Sequence, residues 1–95
     1  MNILIIDDDI TAAETLACEL NKYADVSIVG KATTGNKGLN MVKDKKPELI
    51  FLDVELPDMS GLNFIDKINA IPDYNFKVVI FSSYEKHMLD AFRMS

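Results

Sequence analysis

Two unbroken apolar runs in this chain stop at carboxylates. Ile3-Leu4-Ile5-Ile6 meets Asp7-Asp8-Asp9, and Leu49-Ile50-Phe51-Leu52 meets Asp53. Runs of this length, rich in branched residues and without polar alternation, predict strands buried on both faces. Such strands belong to parallel sheets covered by helices on each side. Ligands of an open parallel sheet bind in the crevice outside the carboxyl ends of its strands. Parallel neighbours would therefore bring Asp7, Asp8 and Asp53 to one edge. Two unit charges about 4 Å apart interact by roughly 4 kcal/mol at an effective dielectric of about 20. A cluster of three repelling carboxylates is a poor packing device. It suits a hard cation that takes oxygen ligands, Mg²⁺ or Mn²⁺.

The segments between and after these runs alternate in type. A helix is expected from near Ile10 to about Tyr23, with Ile10, Ala13, Ala17 and Leu20 on one face at 3.6-residue spacing. Thr11 and Glu14 have capping-box spacing, with Asp9 as a competing N-cap. Val26–Val29 reads as a second strand ended by Gly30. Thr34-Gly35-Asn36 turns into a second helix carrying Leu39, Met41 and Val42. Lys43, Lys45 and Lys46 suit its carboxyl end, where cations complement the dipole, and Pro47 stops it. Leu49–Leu52 is the third strand, and the loop Asp53–Asp58 follows. Ser60-Gly61 opens a third helix with Leu62, Phe64, Ile65 and Ile68 inward, broken at Pro72-Asp73. Val78–Phe81 is a fourth strand, ending in Ser82-Ser83. A last helix is expected from about Glu85, with Met88, Leu89 and Phe92 apolar. Strands alternating with helices specify an α/β fold with a parallel sheet. Right-handed crossovers then put helices on both faces.

Composition narrows the partners. The 95 residues suffice for one domain. A formal net charge of −5 with no basic stripe argues against direct nucleic-acid binding and against docking on anionic membranes. No apolar stretch approaches the roughly 20 residues of a membrane span. The chain starts directly on a strand, so no signal peptide is expected. Cys18 is the single cysteine, which fits a reducing, cytoplasmic setting. His87 reads as a helix-surface residue. Gly30-Lys31 lacks both the earlier glycine and the following Ser or Thr of a P-loop.

These residues together resemble a bacterial response-regulator receiver domain. The acidic pair is Asp7-Asp8, and the phosphoacceptor position matches Asp53 within LIFLDVELPDMSGLNFI. Pro57 and Gly61 follow Asp53 by four and eight residues, and Ser82 supplies the hydroxyl after the fourth strand. The stretch FSSYEKHMLDAF is similar to receivers joined to LytTR-type DNA-binding modules, with Tyr84 and Ala91-Phe92 at the matching places. The resemblance implies a three-layer, flavodoxin-like sandwich. Its strand order would be 2-1-3-4, with the family's fifth strand and fifth helix missing. It implies Mg²⁺ (or Mn²⁺) held by Asp7, Asp8, Asp53 and the backbone carbonyl of Glu55, with Asp7 acting through water. Asp53 would accept a phosphoryl group from a sensor histidine kinase, and Ser82 would contact that group. Ser83 and Tyr84 would border the site. Any catalysis would be limited to Mg²⁺-dependent self-phosphorylation and dephosphorylation at Asp53.

The family's Lys-Pro pair after the fifth strand has no counterpart in these residues, and neither Lys77 nor Lys86 matches it. An alternative reading follows: a truncated receiver, impaired in phosphotransfer, that acts as an interaction module. It would form a homodimer or domain-swapped oligomer through an exposed fourth strand. A flavodoxin-like FMN binder shares the strand order, but Asp7-Asp8-Asp9 would repel a phosphate after the first strand.

Overall fold

The computed structural model describes residues 1–81. The expected last helix, with Ser82, Ser83 and Tyr84, lies outside them. The described elements are β1 (Asn2–Ile6), α1 (Ile10–Leu20), β2 (Ser27–Ala32), α2 (Gly35–Lys45), β3 (Leu49–Asp53), α3 (Gly61–Asn69) and β4 (Lys77–Phe81). The strands form one parallel sheet in the order β2-β1-β3-β4, as expected.

The two apolar runs lie side by side. Ile3 pairs with Leu49 and Ile6 with Leu52, so each run ends at the same level. The strand residues alternate between two cores. Leu4, Ile6, Ile50 and Leu52 join Leu39, Val42, Phe64 and Ile68 beneath α2 and α3. Ile3 and Ile5 join Ala13 and Ala17 beneath α1. β1 is thus buried on both faces from Ile3 to Ile6, which explains why its sequence cannot alternate.

Four details depart from the expected pattern. β2 does not stop at Gly30 but runs through it to Ala32. Its register against β1 slips between Ile3, which faces Ile28, and Leu4, which faces Gly30. A side chain at Gly30 would press on Met41, whose sulfur lies 2.9 Å from the position of a Cβ, and on Leu4 at 3.4 Å. Glycine inside the strand therefore marks an irregular pairing and a close approach, not an end. α1 ends at Leu20 instead of Tyr23, because Lys22 and Tyr23 donate to Glu19 and Leu20 in tight turns. Of the two N-cap candidates in the sequence, it is Asp9 that caps α1: its Oδ1 accepts from Ala12 N–H at 3.1 Å.

The fourth departure concerns two side chains expected in the core. Ile10 is 61% exposed and Leu62 is 64% exposed. Ile10 opens α1 above the carboxyl edge of the sheet, past the strands that would cover it. In α3, Gly61, Phe64 and Ile68 are buried, and Leu62 lies roughly 100° from Gly61 and roughly 160° from Phe64 around the helix.

Candidate functional site

The acidic run after β1 divides its work among three residues. Asp7 is still tied to the sheet, its N–H donating to Ala32 O at 2.9 Å. Its carboxylate is buried, and Oδ1 accepts from Asp9 N–H at 3.0 Å. Asp8 is exposed beside it. Asp9 turns the chain into α1. Asp53, the last residue of β3, repeats the arrangement of Asp7. It is 1% exposed, and its Oδ1 accepts from Glu55 N–H at 3.1 Å. An aspartate that accepts from the N–H two residues on holds its own carboxylate in place while turning the chain.

Because β1 and β3 are adjacent and in register, these carboxylates converge. Asp7, Asp8 and Asp53 each offer an oxygen, and the three oxygens lie within 4.8 Å of one another. Two of the three groups sit in buried positions, where repulsion is least screened. The donor set is all hard oxygen and fits Mg²⁺ or Mn²⁺. Asp7 also borders a cavity of about 160 Å³ that Ile10, Glu14, Lys31 and Thr33 help to line.

The segment after Asp53 is a short hairpin. Glu55 and Ser60 face each other in an antiparallel bridge, and Leu56 N–H donates to Met59 O at 3.2 Å. Its base is held by Val54 N–H to Phe81 O at 2.9 Å and by Gly61 N–H to Val54 O at 2.7 Å. Gly61 is required by contact: a Cβ there would stand 3.0 Å from both Asp53 O and Val54 Cα. Pro57 is exposed near the hairpin's tip, where its lack of an N–H leaves no donor stranded.

One participant was invisible to sequence reasoning. Asp58, read there only as a loop residue, accepts from Gly35 N–H at 2.7 Å and from Asn36 N–H at 2.9 Å. These two backbone bonds hold its carboxyl below the usual carboxylate range. No local pattern could have shown a contact spanning 22 or 23 residues.

The response regulator receiver domain profile matches residues 3–94. This chain belongs to that family. An uncharacterized response regulatory protein of Shewanella oneidensis is 34% identical over 89 residues, covering 94% of this chain and 37% of that protein. The transcriptional regulatory protein BtsR of Escherichia coli is 28% identical over 92 residues, covering 97% of this chain and 38% of BtsR. This receiver chain thus spans less than half the length of those curated relatives. Among solved structures, the response regulatory domain of mrkE from Klebsiella pneumoniae superposes with a TM-score of 0.77 at 26% identity. That match covers 98% of this chain and 75% of the other. No described helix of the receiver is long and apolar enough to cross a membrane.

Proposed function

We propose that Asp53 is a phosphoacceptor, charged by the phosphohistidine of a sensor histidine kinase in the cytoplasm. The observation that carries this reading is the convergence of Asp7, Asp8 and Asp53 at the carboxyl edge of a receiver sheet. Asp8, Asp53 and the Glu55 carbonyl would hold Mg²⁺, with Asp7 acting through water. The bound cation would neutralise charge on the oxygens of the transferring phosphoryl group.

The chain's own residues supply the rest. A carboxylate oxygen of Asp53 attacks phosphorus, a P–O bond forms, and the P–N bond to the imidazole breaks. The imidazole nitrogen leaves with the electron pair and takes a proton. Glu55 N–H keeps Asp53 oriented during the attack. Ser82 would donate to a phosphoryl oxygen, with Ser83 and Tyr84 at the border; these three roles rest on the resemblance. Return to the start consumes water, with the cation still in place: water attacks phosphorus, the P–O bond to Asp53 breaks, and inorganic phosphate leaves. The output would lie in a longer protein through a LytTR-type module. The stretch from Phe81 to Phe92 supports that assignment.

The test is mass spectrometry after incubation with a small phosphodonor and Mg²⁺. The expected result is one added phosphoryl group, absent without Mg²⁺ and absent in Asp53→Asn. An unmodified wild-type chain, or an adduct that persists in Asp53→Asn, would refute the assignment.

A second reading is favoured by β4. It ends the described sheet, and Val79 and Ile80 are 44% and 41% exposed on opposite faces. An apolar outer strand invites pairing with another chain. We propose that two copies associate through β4, by edge pairing or by exchange of an element. This contact is compatible with phosphotransfer and would also serve a chain that cannot perform it.

A further inference from the structure

The N–H groups that open α2 are taken in an unusual way. Thr34 Oγ1 accepts from Lys37 N–H at 3.2 Å, as an ordinary cap does. The two preceding donors, Gly35 and Asn36, both go to Asp58, one to each carboxylate oxygen. No acidic residue of α2 itself occupies its first turn, so the charge that complements the dipole arrives from the β3–α3 hairpin. Met59 strengthens the seat: a Cβ on Gly35 would stand 2.5 Å from its side chain.

The contacts close a ring around the carboxylate site. Asp53 accepts from Glu55 N–H, and Glu55 bridges Ser60 across the hairpin. The hairpin tip, through Asp58, grips the start of α2. Just before α2, Ala32 O accepts from Asp7 N–H. The β2–α2 turn therefore links the two strands whose acids form the site. Without Asp58, the tip would have no hydrogen bond of its own to the body of the domain among the described residues.

We propose that Asp58 is a positioning residue. By gripping the first turn of α2 it fixes the hairpin, and so places the Glu55 carbonyl and the Glu55 N–H that orients Asp53. This rests on the reading of Glu55 as a ligand given above. Ordering the hairpin in advance removes a cost that a bound cation would otherwise have to meet. Two charge-assisted bonds to one carboxylate supply the grip.

The test uses the full chain as wild type, Asp58→Ala, Asp58→Asn and Thr34→Ala. Mg²⁺ affinity is measured by calorimetry, and exchange of the Glu55 amide is followed by NMR without metal. Asp58→Ala is expected to weaken Mg²⁺ binding roughly tenfold and to speed Glu55 exchange by about tenfold. Asp58→Asn, which keeps one acceptor oxygen, falls between. Thr34→Ala loosens the same helix without touching the hairpin and keeps its Mg²⁺ affinity within about twofold. Wild-type affinity in Asp58→Ala, or an equal loss in Thr34→Ala, overturns the proposal. Absence of Mg²⁺ binding by wild type would instead refute the reading of Glu55. Exchange then decides alone: an unaccelerated Glu55 amide in Asp58→Ala removes the positioning role.

Discussion

Asp58 keeps its charge further into acid than a free aspartate, because two backbone N–H groups of α2 donate to it. A carboxyl whose folded pKa is depressed adds stability above its unfolded value near 3.8, and loses it as pH falls through the lower folded value. The wild-type melting temperature should therefore drop more steeply below pH 4 than that of Asp58→Asn. Parallel curves for the two proteins would contradict the clasp. Gly61 carries a steric duty instead. Gly61→Ala places a methyl against Asp53 O and Val54 Cα, and should cost about 1–3 kcal/mol in denaturant unfolding. At this scale residues differ in how far the sequence reveals their roles, for a physical reason. Asp7, Asp8 and Asp53 announce themselves because each stands where an apolar run stops. Asp58 gives no such sign, since its partners are backbone groups of a helix distant in the chain.

Among the elements, helix phase and strand irregularity mark where pattern reasoning failed. Periodicity found α1 and α3, yet it placed Ile10 and Leu62 in the core. Ile10 has the right phase but begins above the sheet edge. Leu62 has the wrong phase, because Gly61, Phe64 and Ile68 set which side of α3 meets the sheet. Phe64→Ala should destabilise the domain by about 3–5 kcal/mol, whereas Leu62→Ala should stay within about 0.5 kcal/mol, read by denaturant unfolding. Equal losses would show that α3 is rotated from its described phase. In β2, glycine misled because a strand terminator and an irregular pairing look alike in sequence. Only the side chains of Leu4 and Met41, brought in from other elements, tell them apart.

For the molecule as a whole, hydrophobic pattern makes the two apolar runs central, whereas which outer strand lies on which side in the order β2-β1-β3-β4 is what the receiver resemblance implied. The consequence at β4 is an apolar surface. Sedimentation should show association rising with concentration, reduced by Val79→Lys. A concentrated wild-type chain that stays monomeric would rule that contact out.

The same central pairing creates the site, and its convergence can be measured through metal linkage. Mg²⁺ at about ten times its dissociation constant should add roughly 1.4 kcal/mol to the folded state, or about 6–11 °C in a domain of this size. Asp8→Ala should melt at or slightly above wild type without metal, because one repelling carboxylate is gone, and should lose the Mg²⁺ increment. A wild-type melting temperature indifferent to Mg²⁺, or an increment that survives Asp8→Ala, would contradict the convergence of Asp7, Asp8 and Asp53 into one cation seat.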